Sequence, residues 1–282
     1  MTKIASILGI LVATIAGAPA QSAELATGNR AEAWSQHCCW DTPWNIQITN
    51  GSGPVSANSW SAGGQADSTA GYGVLRGDIA TFANNRGFTY SSGRGSVSDG
   101  WADSLTFHSA SLGVGTAIQF RLNVFLDYDY ALTRTDAGVA SFIAKAAFLG
   151  DGIGLDARDV TSWQAGTVFE LHTSQAGAGS GHREASTLRT AAIGDTVNLR
   201  GYLSLYNESL IPDSTLGRID SEFHGRAYYT VDILTPDVGF TSLGGAPYLL
   251  APVPEPETYA MLLAGLGLLG ALARRRKARR TA

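Results

Sequence analysis

The sequence is poor in charged residues, lysine and cysteine. Of its 282 residues only 16% are charged, three are lysine and two are cysteine. Such a low charge beside a hydrophobic share of 44% excludes a wholly disordered chain and a protein that coats nucleic acid. Two cysteines cannot supply the two pairs that a four-cysteine zinc site needs. The length is sufficient for one large or two small folded domains.

The common signatures of catalysis are also missing. The chain has no Gly-x-Ser-x-Gly elbow, no His-Glu-x-x-His helix and no phosphate-binding Gly-x-x-x-x-Gly-Lys loop. The histidines are scattered, and Glu170 and His172 share a strand face only by alternation. We therefore predict a non-enzymatic protein without catalytic residues. A secreted glycosidase remains the alternative, since its two carboxylates would come from separate strands.

The amino terminus has the layout of a secretory signal peptide. Lys3 precedes the apolar run from Ile4 to Ile15, and the small residues Ala18-Pro19-Ala20 follow it. We predict that residues 1–20 form the signal peptide and that the body, residues 21–252, works outside the cytoplasm.

The carboxyl terminus combines a proline-rich segment, an apolar span and a basic cluster. Pro254 and Pro256 favour an extended backbone around Glu255. Residues 259–273 are uncharged and predict a single transmembrane helix about 22 Å long, which arginine snorkelling would extend toward the ~30 Å bilayer core. The six basic residues that follow the span would hold that end in the cytoplasm.

This order of elements over residues 253–282 resembles the PEP-CTERM sorting signal of Gram-negative bacteria. The resemblance implies recognition by an exosortase, a membrane-embedded cysteine transpeptidase-like enzyme, with Pro254, Glu255 and Pro256 as its substrate residues. It also implies that the chain is anchored in the inner membrane with its body in the periplasm. Processing would then deliver the body to the cell surface or the exterior, where such proteins are associated with exopolysaccharide and biofilm.

The body alternates apolar and polar residues, which is typical of β-strands with one buried face. The clearest segments are Ile118 to Leu126, Val197 to Leu205 and Tyr229 to Ile233. Weaker strands are predicted at 44–49, 72–82, 104–108, 142–149 and 167–173. Together with Gly, Ser and Asp turns they predict an all-β fold, an antiparallel β-sandwich or jelly roll.

We make separate predictions for three segments of the body. Ser141 to Leu149 is rich in alanine and could equally be a short helix. The Ala/Gly/Ser-rich segment from Gln175 to Gly181 predicts a mobile loop. Residues 21–33 are expected to be loosely held.

Three tryptophans near the start of the body are candidate sugar-binding residues. Trp34, Trp40 and Trp44 surround the adjacent pair Cys38 and Cys39. Exposed aromatic rings beside carboxylates can stack on sugar rings, although aromatic residues of β-proteins also form cores. The body would then be a carbohydrate-binding module for exopolysaccharide. The two cysteines could form a vicinal disulfide, remain thiols or link to another chain.

No cofactor is required by the sequence, and no metal site is predicted. A calcium ion is the one candidate, because Asp151, Asp156 and Asp159 lie in a glycine-containing loop that offers hard oxygen ligands. Asp127 and Asp129 form a weaker alternative. Seven of the 20 basic residues lie in the two ends, so the span 21–256 is strongly acidic. This charge argues against nucleic acid as a partner.

Overall fold

The computed structural model describes residues 28–37, 43–86, 91–149, 165–212 and 215–248. The chain divides into two units, Met1–Ala246 and Pro247–Ala282, and all of the described strands belong to the first. Within the described ranges there is no helix long and apolar enough to cross a membrane. The predicted signal peptide and the predicted spanning helix over residues 259–273 lie outside these ranges.

The described residues form thirteen strands. Their bounds are β1 Gly28–His37, β2 Asn45–Gly51, β3 Val55–Ser61, β4 Gly64–Gly71, β5 Val74–Arg86, β6 Ser91–Ser109, β7 Ala117–Asp136, β8 Val139–Leu149, β9 Ala165–Thr173, β10 Gly177–Ala192, β11 Thr196–Ile211, β12 Leu216–Ile233 and β13 Val238–Ser242.

The strands form two antiparallel sheets. Sheet A has the order β2-β1-β6-β11-β8-β9, and β13 also pairs with β6. Sheet B has the order β10-β7-β12-β5-β4-β3. Side chains from the facing sides of the two sheets meet, as Thr81 of β5 does with Ser209 of β11 at 2.9 Å between their hydroxyl oxygens. The prediction of an all-β antiparallel sandwich is confirmed.

The core lies between the sheets, and strand alternation explains which residues reach it. The predicted buried face of β7 is confirmed, because its apolar residues are at most 1% exposed: Ile118, Phe120, Leu122, Val124 and Leu126. β8 is a strand that pairs with β11 and β9, and its fully buried residues include a series of period two: Ala140, Phe142, Ala144, Ala146 and Phe148. This period belongs to a strand, so the helical alternative for Ser141 to Leu149 is wrong.

Two further expectations are corrected by the structure. The segment predicted as a mobile loop, Gln175 to Gly181, enters strand β10 at Gly177 and pairs with β7 in a continuous ladder. Its small residues have a packing reason, since a side chain at Gly181 would overlap the Tyr128 ring of the neighbouring strand. Residues 28–33, expected to be loosely held, are the buried first part of β1, which pairs with both β2 and β6.

One corner of the sandwich is joined by side chains of β2. The Asn45 Nδ2 amide donates a hydrogen bond to the Trp60 carbonyl at 2.5 Å. The Gln47 side-chain oxygen accepts a hydrogen bond from the Asn58 amide. Both partners are backbone groups of β3, the last strand of sheet B. These bonds satisfy edge groups that would otherwise offer a template for another strand, and they fix the position of Trp60.

The first and last described strands, β1 and β13, lie on the same side of β6. Gly28, where β1 begins, pairs with Ala102. Ser242, where β13 ends, pairs with Leu105. The two ends of the described β unit therefore meet along one edge of a central strand.

Candidate functional site

The outer face of sheet B, the side that faces away from sheet A, is polar and contains a groove of about 570 Å³. We call it the charged groove. Its ionisable and hydroxyl side chains come from β5, β7, β10 and β12, which are neighbours in the sheet: Arg76, Asp78, Asp127, Asp129, Ser180, His182, His224 and Arg226.

Strand register pairs the histidines of this groove with carboxylates. His224 lies between Asp78 and Asp129 on the two neighbouring strands. Its Nδ1 is 2.7 Å from Asp78 Oδ1, and its Nε2 is 4.0 Å from Asp129 Oδ1. His182 lies opposite Asp127, with 2.6 Å between Nδ1 and Oδ1. The groove therefore offers both hydrogen-bond donors and hydrogen-bond acceptors on a rigid surface.

This arrangement does not favour hydrolysis of a glycosidic bond. Both ring nitrogens of His224 face carboxylates, so the imidazole is not aligned on a nucleophile. The carboxylates of Asp127 and Asp129 are solvated, whereas a glycosidase needs one carboxylic acid in an enclosed apolar site. Among the described residues no group of three His, Cys, Asp or Glu side chains is placed to hold a metal ion.

A chain of hydrogen bonds through His172 lies on the outer face of sheet A. Ser141 Oγ is 2.9 Å from His172 Nδ1, and His172 Nε2 is 2.8 Å from Glu170 Oε1. The predicted shared face of Glu170 and His172 is therefore real, and sequence reasoning missed Ser141. Ser141 is only 4% exposed, so its hydroxyl is not accessible to a substrate. We assign this chain of hydrogen bonds a structural role, which is to join β8 and β9.

Beside the charged groove lies a smaller depression of about 260 Å³, which we call the tryptophan depression. It is lined by side chains of the outer face of sheet B: Trp60, Gln65, Ala80, Phe82, Asp220 and Glu222. Trp60 is 65% exposed, and it is the one aromatic residue among the exposed large hydrophobic side chains of the described ranges. Sequence reasoning missed Trp60. The sequence feature that indicates an outward position for Trp60 is the alternation of the small residues Ala57, Ser59 and Ser61 with larger residues.

The three predicted sugar-binding tryptophans are only partly visible. Trp34 is 8% exposed and packs edge-on against Trp44 with 6.0 Å between ring centroids. Trp44 is half-buried. Trp40 lies outside the described residues. The role of these three residues in sugar binding stays a prediction.

Several other predicted sites also lie outside the described ranges. They are the substrate residues Pro254, Glu255 and Pro256, the adjacent Cys38 and Cys39, and the candidate calcium loop from Asp151 to Asp159. These assignments remain predictions.

A buried carboxylate of β6 holds the end of the body in place. Asp103 accepts hydrogen bonds from the Ser242 hydroxyl at 2.5 Å and from the Gly244 amide at 2.7 Å. The turn after β13 is therefore tied to the central strand by charge-assisted bonds.

Asp99, also on β6, is 1% exposed and accepts a hydrogen bond from the Glu32 amide at 3.1 Å. Burial raises the pKa of Asp99 well above the ordinary range of an aspartate. The hydrogen bond from the Glu32 backbone amide opposes this rise in pKa, and the negative charge of the Glu32 carboxylate adds to it. The folded state therefore binds the Asp99 proton more tightly than the unfolded chain does.

This raised pKa predicts a pH-dependent effect of Asp99→Asn. The contribution of Asp99 to stability is full below the unfolded pKa of about 3.9 and falls as pH rises toward the folded pKa. Each unit of the rise corresponds to about 1.4 kcal/mol. We expect the variant to gain free energy of unfolding relative to the wild type as pH rises from 4 to 8, measured by urea denaturation. A difference that does not change with pH would contradict the raised pKa.

Comparison with known proteins identifies the carboxyl-terminal segment. The described body is an all-β protein of two antiparallel sheets. Residues 252–277 match the family model of the PEP-CTERM protein-sorting motif. The resemblance drawn from the sequence is confirmed for this segment. The motif implies processing by an exosortase and a chain that is anchored in a membrane and then exported.

No curated protein matches this chain. Among solved structures, a similar chain is TmCBM61, described as a complex with β-1,4-galactotriose. The match has 9% sequence identity and a TM-score of 0.22, and it covers 62% of this chain and 86% of that chain. A similarity at this level does not transfer the sugar ligand to the present protein.

Proposed function

We propose that this chain is an exported cell-envelope or extracellular-matrix protein that an exosortase sorts and that acts with exopolysaccharide without catalysing a reaction. The sorting motif at residues 252–277 carries the proposal. Support comes from the signal-peptide pattern of residues 1–20 and from the basic cluster after the apolar span 259–273. In this proposal Pro254, Glu255 and Pro256 are recognised by the exosortase, and the residues after them are removed.

The sorting step predicts a change at the carboxyl terminus. In cells with a working exosortase we expect the mature chain to lack the arginine cluster, as measured by mass spectrometry of cell and medium fractions. Changing both Pro254 and Pro256 to alanine should abolish processing, because the extended backbone around Glu255 is lost. Pro247→Ala, outside the matched segment, is the control and should be processed normally. An intact peptide that runs from Glu257 into the arginine cluster in wild-type cells would disprove the proposal.

The second candidate function, for the body itself, is carbohydrate binding. It is favoured by one observation, the exposed Trp60 ring beside the polar side chains of the outer face of sheet B. Aromatic rings that face solvent next to carboxylates and amides suit sugar rings, which have apolar faces and polar edges. Binding of polysaccharide without release of reducing sugar would support this function over a glycosidase.

A further inference from the structure

The tryptophan depression has a shape that strand register explains. Trp60 pairs with Gln65, Gln65 with Ala80, and Ala80 with Glu222, so four neighbouring strands place these side chains in one row. Neighbouring strands are about 4.8 Å apart, which puts the Gln65 and Glu222 backbones roughly 10 Å from each other. The short Ala80 side chain lies between them and leaves a gap. This spacing leaves room for a ligand above Ala80, between the Gln65 and Glu222 side chains.

The volume also limits the ligand. The depression measures about 260 Å³, just below the roughly 300–1,000 Å³ range of small-molecule sites. It is open on the solvent side because Trp60 and Ala80 are exposed. An open depression of this size holds one ring of a longer chain and lets the rest of the chain continue across the sheet.

Hydrogen bonds within the sheet orient the polar side chain on one side of the gap. Asp67 accepts a hydrogen bond from Gln65 Nε2 at 2.7 Å and another from the Asn58 side-chain amide. With its NH₂ group held by Asp67, Gln65 keeps its side-chain oxygen as an acceptor. The Gln65 amide is therefore fixed in orientation before any ligand arrives, which lowers the entropy lost on binding.

The other side of the gap carries an unneutralised charge. Arg218 makes two hydrogen bonds to Asp220, at 2.8 and 3.0 Å, and so neutralises that carboxylate. The Glu222 carboxylate makes no hydrogen bond or ion pair with any residue that the structure describes. Its carboxylate is a strong acceptor for hydroxyl groups and repels anionic groups.

We propose that the tryptophan depression binds one ring of a neutral polysaccharide. The ring would lie above Ala80, its hydroxyls would donate to Gln65 and Glu222, and its apolar face would contact the exposed Trp60 ring that borders the same depression. The free charge of Glu222 selects against uronic acids and other anionic sugars. This inference rests on the proposed association with exopolysaccharide and gives it a site and a ligand class. It places sugar binding at Trp60 instead of at Trp34, Trp40 and Trp44.

Affinity electrophoresis of the full chain, purified in mild detergent, tests the site. The probes are soluble β-glucan, mannan and galactan as neutral polymers, and alginate as the anionic polymer. We expect retardation by at least one neutral polymer and none by alginate. Trp60→Ala should weaken binding at least tenfold because the stacking surface is lost, and Glu222→Gln should weaken it severalfold. Leu188→Ala, which removes an exposed apolar side chain of β10 on the same sheet, is the matched control and should bind normally.

Each negative result would contradict a different part of the proposal. Binding that survives Trp60→Ala but is lost in Trp44→Ala would overturn this site and leave polysaccharide binding intact. Stronger binding of alginate than of the neutral polymers would overturn the ligand class. If no polymer binds the wild type, both the site and the carbohydrate-binding function are wrong, while the sorting proposal stands on its own test. Should Trp60→Ala fail to fold, Gln65→Ala and Glu222→Gln decide the outcome, because both side chains are exposed.

Discussion

Replacing Arg94 by methionine is expected to lower the free energy of unfolding by about 3–5 kcal/mol. Arg94 Nε lies 2.6 Å from Glu208 Oε1, and both side chains are only 7% exposed. The substitution leaves the Glu208 carboxylate buried without its cationic partner, and the Tyr206 hydroxyl, 3.0 Å from Glu208 Oε2, does not replace the lost charge. Urea denaturation of wild type and variant measures the loss.

A double variant separates the ion pair from simple packing. Arg94→Met combined with Glu208→Leu removes both charges, so we expect it to recover most of the lost free energy of unfolding. Arg218→Met is the surface control, because the Arg218–Asp220 pair is solvent-exposed and should contribute nothing measurable. A loss below about 1 kcal/mol for Arg94→Met would mean that water solvates the carboxylate and that the pair is not buried.

Trp101→Ala is expected to lower the free energy of unfolding by about 3–5 kcal/mol. The Trp101 ring is fully buried and packs edge-on against Phe148 and Tyr229, with centroid distances of 5.5 and 5.4 Å. Phe148 belongs to sheet A and Tyr229 to sheet B, so the cavity would open where the two sheets join. Thermal or urea unfolding gives the size of the loss. Trp60→Ala is the control, since its exposed ring contributes little to the core.

The neighbour of Trp101 on β11 provides a stricter test. A Cβ atom at Gly201 would overlap the indole nitrogen of Trp101. Gly201→Ala should therefore destabilise the wild type by about 1–3 kcal/mol through overpacking. In the Trp101→Ala background the same change should cost much less, because the added methyl group enters the cavity. Additive losses would contradict the packing described here.

Strand positions were predictable where one face is apolar and buried. The run from Ile118 to Leu126 shows this, because its alternation is visible in the sequence and matches the core of β7. On β6 the prediction covered only residues 104–108 of a nineteen-residue strand. The inward positions before this segment include Asp99 and Asp103, whose carboxylates accept hydrogen bonds from residues distant in the sequence, Glu32 and Ser242. Those partners are not visible in the local sequence.

The candidate site was harder to predict than the fold. The chain has six tryptophans, and the local sequence does not reveal which of them faces solvent. Trp34 is buried and Trp60 is exposed because of the strands that surround each of them. Gln65, Ala80 and Glu222 come together only when the pairing of four strands is known. The sorting motif was predictable because it is contiguous and needs no tertiary partner.

The meeting of β1 and β13 along β6 has a consequence for engineering the chain. Gly28 and Ser242 pair with positions three residues apart, a separation of about 10 Å along the strand. A short linker would span this gap, so a circular permutant with new ends in the 110–116 connection retains every described strand pairing. Such a permutant transfers the sorting signal to a different corner of the same body. It would reveal whether export depends on where the tail is attached.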